Sequence, residues 1–212
     1  MDELAEISQI PIETAVLYNF YPNLKSPKDR VRRAEAAGEL IRLKKGLYIV
    51  SPVVSKINIS AELIANHLHG PSYVSFESAL SYYGLIPERV FTVKSATAKR
   101  RKIYETPVGV FEYISISPGY FPIGLQTIIV KDSFAFVIAS PEKALCDLII
   151  STSRLRFQSQ KAVKRYLNED IRVDFGIAKN WNADIITQCI QHSYKKTELT
   201  FLLNYLRDEH CI

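Results

Sequence analysis

Residues Ser26 to Val50, SPKDRVRRAEAAGELIRLKKGLYIV, decide how the rest of the chain is read. Ser26 is a suitable N-cap, and Pro27 suits the first helical position, where its missing N–H leaves nothing unpaired. At roughly 100° per residue, Val31, Ala34 and Gly38 share one narrow side that can pack against a neighbouring helix. The opposite side carries Asp29, Arg32, Arg33 and Ala36, with Lys28 and Arg30 at its edges. Gly38 marks the helix end. Leu40 to Lys44 then alternates, Lys45-Gly46 supplies a two-residue turn, and Leu47 to Val50 returns as a second strand. In that register Leu43 faces Tyr48 and Ile41 faces Val50 on one apolar side, while Arg42 and Lys44 point together to the other.

A helix with an arginine face followed by a basic hairpin has the geometry of a winged helix-turn-helix. The helix fits a major groove and the wing a phosphate backbone. Between Lys25 and Lys45 there are eight basic and three acidic residues, an excess of five that equals the net charge of +5 for the whole chain. The simpler alternative is a solvated amphipathic helix and an ordinary hairpin. The one-sided arginines favour DNA contact.

With 212 residues, 47% of them hydrophobic and 23% charged, the chain can bury a core as one large domain or two small ones. It contains no apolar run long enough to span a membrane. The opening MDELAEISQI is acidic and lacks the basic and apolar regions of a signal peptide. Cys146, Cys189 and Cys211 are too few and too scattered for a disulfide framework or a metal site. A cytoplasmic location is expected. A pI near 9.0 is compatible with nucleic acid without demanding it.

Residues 12–21 suit a helix, with Ala15, Val16, Tyr18 and Phe20 available for packing and Pro22 as its stop. Ser51-Pro52 closes the wing and divides the chain into 1–52 and 53–212. Ser60 caps a helix over Ala61 to His69, broken by Gly70-Pro71. Ser75 caps Phe76 to Tyr83, which ends at Gly84. Strands follow at VFTVKS, RKIYE, VGVFEYISIS, LQTIIV and FAFVIAS, with Asp132-Ser133 as a hairpin turn. Ser140 and Pro141 open a helix striped by Ala144, Leu145, Leu148 and Ile149. From Gln158 the chain is helical, ending with Glu198 to Glu209. The fold class is therefore α+β: an N-terminal winged helix, then a larger mixed domain with a helical tail.

Three segments in order carry a resemblance: AAGELIRLKKGLYIV, YVSFESALSYYGLIPERVFTV at Tyr73 to Val93, and ASPEKALCDLI at Ala139 to Ile149. The chain resembles the AbiEi family, antitoxins of type IV toxin–antitoxin systems, over roughly Lys28 to Ile150. The resemblance implies an autorepressor that binds inverted repeats in its own promoter. It also implies action against a nucleotidyltransferase toxin without need of a stable complex, and a C-terminal domain tied to neutralisation. Carried onto matching positions, DNA contact falls on Lys28, Arg30, Arg32 and Arg33 of the helix and on Arg42, Lys44 and Lys45 of the wing. It supplies no catalytic residue, metal or cofactor, so no enzymatic activity is expected.

Other groupings have weaker claims. Lys99, Arg100, Arg101 and Lys102, with Lys94 nearby, form a positive block, either a solvated hairpin tip or a second phosphate clamp. Arg154, Arg156, Lys161, Lys164 and Arg165 form another, open to DNA, RNA or the toxin. Glu77 and Asp147 could support metal-dependent phosphoryl chemistry, making the chain a DNA-targeted nuclease or phosphotransferase, but polar anchors are the simpler role. His67 and His69 are two apart and face different ways on a helix, which argues against a shared metal. Tyr82, Tyr83, Phe111, Tyr113, Tyr120 and Phe121 read as core. A ligand-sensing transcription factor is the remaining alternative.

Overall fold

The computed structural model describes residues 9–88, 90–130, 133–176 and 181–212. Most of MDELAEISQI, and Asp132 of the expected hairpin turn, lie outside the described residues. The fold is mixed α+β, with one three-stranded and one six-stranded sheet among the described residues.

The N-terminal part comprises β1 (Ile12–Glu13), α1 (Thr14–Asn19), α2 (Pro27–Ala36), β2 (Leu40–Lys44) and β3 (Leu47–Val50). The start expected as helix is therefore a short strand, which pairs with β3 and places β3 at the centre of the sheet. Leu17 is the fully buried residue of α1, whereas Val16 and Phe20 are exposed. Ser26 Oγ accepts from the Asp29 N–H, as an N-cap should. Gly38 closes α2 at φ +72°, where Glu39 N–H bonds Ala34 O and Gly38 N–H bonds Glu35 O. It is exposed and packs against nothing, so its place is set by the left-handed cap and not by a helix contact.

The hairpin register differs from the expected one. Leu40 pairs with Val50, Ile41 with Ile49 and Arg42 with Tyr48, and a bulge at Leu43 precedes the Lys44–Leu47 pair. The extra residue reverses the alternation. Leu40, Tyr48 and Val50 pack with Ile12, Leu17, Tyr21, Val31 and Ala34 in a small core. Leu43, Leu47 and Ile49 join the large core of the following residues. Both faces of the hairpin are thus covered, and Arg42 and Lys44 leave it on opposite sides.

The larger part contains α3 (Pro52–Ser55), α4 (Ala61–Leu68), β4 (Ser72–Val74), α5 (Phe76–Tyr82), β5 (Thr92–Thr97), β6 (Lys102–Thr106), β7 (Gly109–Ser115), β8 (Leu125–Val130), β9 (Phe134–Ala139), α6 (Pro141–Ser151), α7 (Gln160–Arg165), α8 (Ala183–His192) and α9 (Lys196–Asp208). A wider turn at Tyr166–Asp170 continues α7. The six strands run β6-β7-β5-β4-β9-β8, with β5/β7 and β4/β9 parallel. Strands β5 and β6 do not pair, so residues 98–101 cross over β7 instead of forming a hairpin tip; the hairpin is β6–β7. Ser72 Oγ donates to Ala65 O of α4, while the neighbouring Tyr73 hydroxyl donates to Asp147 of α6. Alternate side chains of a strand point to opposite faces, so α4 and α6 cover opposite faces at β4.

Candidate nucleic-acid interface

On α2, Lys28, Arg32 and Arg33 are exposed. The Arg32 guanidinium, 77% exposed, sits 3.3 Å from Asp29 one turn back, and Arg33 Nε donates to Asp29 O. Such a surface pair is worth little and is readily exchanged for a phosphate. Arg30 turns inward. Its Nη1 is 3.0 Å from Glu39 and its guanidinium lies 5.4 Å over the Tyr21 ring, so it fastens α2 to the start of β2.

The three cations of the β2–β3 hairpin have different surroundings. Arg42 bonds Glu35 of α2 at 2.6 Å and covers the Tyr48 ring; the bond to Glu35 holds its pKa above the usual value. Lys44 Nζ donates to Leu68 O at 2.6 Å, capping the C-terminus of α4. Lys45, at the turn, is exposed.

The structure brings Lys44 together with part of the second basic block. Lys44 and Lys102 approach the Tyr104 ring at 5.8 and 5.6 Å. His69 packs edge-on against Tyr113, 5.1 Å away, with Nε2 3.3 Å from Arg100 O. Burial lowers the pKa of His69, and Lys99, Lys44 and Lys102 push the same way against the Arg100 carbonyl. Burial also lowers the pKa of Lys44, opposed by Glu13 and helped by Lys99. Lys99 Nζ donates to Gly70 O. Arg101 departs from the block to bond Glu112. Lys44, Lys99 and Lys102 thus gather around His69 across the join of the two sheets, a grouping that no sequence motif announces.

The third basic stretch is largely neutralised: Arg156 meets Glu198, Lys164 meets Glu209 and Arg165 meets Glu169. Among the described residues no salt bridge reaches Arg154 or Lys161 of that stretch, nor Lys28, Arg33, Lys45, Lys99, Arg100 or Lys102.

Glu77 pairs with Lys94 at 2.9 Å and lines a polar cleft with Arg101 and Glu112. Asp147 is 1% exposed. Its Oδ2 accepts from Ser75 at 2.6 Å and Tyr73 at 3.0 Å, and its Oδ1 lies 3.2 Å from Lys143 in an ion pair not aligned as a hydrogen bond. Ser75 therefore does not cap α5; its hydroxyl is spent on Asp147. Both carboxylates are thus held by polar side chains. Phe111, Tyr113 and Tyr120 are buried, but Tyr82 is 43% exposed. Lys143 and Lys195 are buried lysines that sequence reading passed over; Lys195 Nζ bonds Ile149 O and Thr152 O at the end of α6. Among the described residues no group of three His, Cys, Asp or Glu side chains is placed to hold a metal, and no helix is long and apolar enough to cross a membrane. Compared with protein-family models and with curated proteins, the chain matches none.

Proposed function

We propose that the chain is a DNA-binding autorepressor and antitoxin of the AbiEi type, with residues 1–52 acting as a winged helix-turn-helix. The observation that carries the DNA reading is the uneven use of positive charge. Arg156, Lys164 and Arg165 are matched by glutamates, while Lys28, Arg33, Lys45, Arg100 and Lys102 are exposed and meet no salt bridge among the described residues. In this reading α2 enters a major groove with Arg32 and Arg33 toward base edges or phosphates. Lys28 and Lys45 meet backbone. Arg30 and Arg42, held by Glu39 and Glu35, position the helix against the hairpin. Lys99 and Lys102, beside Lys44 and His69, add phosphate contacts from the far side of the hairpin.

The antitoxin part rests on the resemblance. It is supported by the way the three resembling segments converge. Tyr73 and Ser75 of the second segment bond Asp147 of the third, and Leu43, Leu47 and Ile49 of the first enter the same core. The proposed partners are operator DNA with inverted repeats and a nucleotidyltransferase toxin opposed without a stable complex, all in the cytoplasm; no cofactor and no catalysis are invoked. The test is a gel-shift titration on the promoter fragment upstream of the gene, coupled to a search for an adjacent nucleotidyltransferase gene and co-expression with its product. Salt-sensitive specific retardation and rescue of growth are expected. Absence of both overturns the reading.

A further inference from the structure

We propose that the chain binds a free α-amino acid with an apolar side chain, in a cleft framed by α5, β5, β7 and the end of α6. Lys94 of β5 and Glu112 of β7 are register partners in a parallel pair. Their side chains therefore stand beside each other on one face of the sheet, on strands about 4.8 Å apart. Glu77 of α5 closes on Lys94 at 2.9 Å, and Arg101 closes on Glu112 at 2.5 Å. The charges thus alternate, Glu77, Lys94, Glu112, Arg101, along one cleft of about 270 Å³ that also meets Ser151 and Thr152. Lys94 is fixed through its backbone: its N–H donates to Ser78 Oγ at 2.8 Å, and its carbonyl accepts from the Ser75 N–H.

A second cavity, of about 360 Å³, adjoins the first, and Ile114 and Ser151 line both. Its walls are aliphatic at Ile114, Ile116 and Ile150, with Tyr120 and Tyr194 beside them. The Tyr194 hydroxyl donates to Ile150 O at 2.7 Å, which holds the ring at the rim although it is 77% exposed. An apolar cavity of this size beside a few fixed polar groups is the general form of a small-molecule site. The two signs of charge decide the ligand. A zwitterion sets its carboxylate on Arg101 and Lys94, its ammonium on Glu112 and Glu77, and its side chain past Ile114 into the apolar cavity. Arg101 is 68% exposed in its pair with Glu112, so little is lost when it turns to a bound carboxylate. A phosphate would press its charge against Glu77 and Glu112, and a hydrocarbon would leave all four charges unused. This inference does not depend on the DNA reading.

Calorimetric titration of the full chain with L-phenylalanine at neutral pH should show saturable one-to-one binding, with a Kd of about 1 mM or tighter. L-leucine should compete. Phenylalaninamide lacks the carboxylate and N-acetylphenylalanine lacks the ammonium, and each should bind more weakly by roughly tenfold or more. These two also stand in for the first and last residues of a peptide. Glycine, which leaves the apolar cavity empty, should be weaker as well. Arg101→Gln and Glu112→Gln should each weaken L-phenylalanine by roughly tenfold. Arg101 is exposed, so circular dichroism of Arg101→Gln should be unchanged. The proposal is overturned if about 10 mM of either amino acid, ten times that Kd, gives neither heat nor a rise in melting temperature. Equal binding of phenylalaninamide or N-acetylphenylalanine overturns the zwitterion. Undiminished binding by both charge variants overturns the placement in this cleft.

Discussion

Lys44 Nζ and Leu68 O lie 2.6 Å apart, and that bond ties the β2–β3 hairpin to the end of α4. Lys44 and Lys45 are adjacent in sequence, yet one is a structural tie and the other an exposed tip. We predict that Lys44→Met costs about 1.5 kcal/mol of stability through a lost charge-assisted bond. Lys45→Ala should stay within about 0.5 kcal/mol of wild type. On DNA, Lys45→Ala should reduce the salt slope by ~0.9 and weaken all sequences alike. Urea unfolding and salt-dependent titration check both halves. Equal stability of the two variants would remove the distinction.

For α2 the expectation concerns Arg32 and Arg33, the exposed pair that both reach back to Asp29 one turn earlier. Removing a base-reading arginine should cost about 1–3 kcal/mol and relax specificity at one position. Arg30→Ala should instead lower stability, because Glu39 loses its partner. Undiminished operator binding by the Arg32→Ala, Arg33→Ala double variant would sink the assignment of α2 as the reading helix.

How much of this was legible depends on the range of each interaction. Ser26, Pro27 and Gly38 act within one helical turn, so α2 and its ends are visible in the sequence. The bulge at Leu43 is not, because it exists to satisfy two cores at once, one built by Leu17 and Val31 and the other by residues beyond 60. Ser75 looked like a cap because its local pattern is that of a cap. Its actual partner, Asp147, is 72 residues away. Strand β4 spans only Ser72–Val74, too few residues for a period to appear. Lys99 and Lys102 were visible as charge, but their meeting with Lys44 depends on how the two sheets abut.

The buried pair Lys143–Asp147 gives a stability prediction. Asp147→Ala leaves Lys143 charged, fully buried and short of a counter-ion, which should cost about 3–5 kcal/mol. The double variant Lys143→Met, Asp147→Leu removes both charges and should recover much of that loss. Denaturant midpoints for the single and double variants decide it; a double variant no better than the single would show that the charge is not the cause.

A pH dependence follows from His69. Its folded pKa lies below the ordinary value of about 6.5, so between the two values the unfolded chain binds the proton more readily. Its contribution is therefore present above about pH 6.5 and is lost as pH falls through that value toward the folded pKa. Melting temperature should decline from pH 7.5 to 5.5, and His69→Gln should flatten that decline. An identical pH profile in the variant would exclude His69 as its source.

The division at Ser51-Pro52 is best tested with the hairpin's two faces in mind. Cutting there removes Leu43, Leu47 and Ile49 from the core they share with Ile64, Leu68 and Phe111, and removes the Lys44 bond to α4. A fragment of residues 53–212 should thus expose an apolar patch and show lower stability and a tendency to aggregate, whatever its role against a toxin. Loss of protection by that fragment would say nothing about where neutralisation lies. The informative comparison is the full chain carrying Arg32→Ala and Arg33→Ala, whose substitutions lie on the exposed side of α2 and leave both cores intact. If repression and neutralisation are separate, this protein fails to bind the operator and still protects cells at equal abundance. Loss of protection by that stable, DNA-blind chain would place neutralisation on the DNA-binding surface itself.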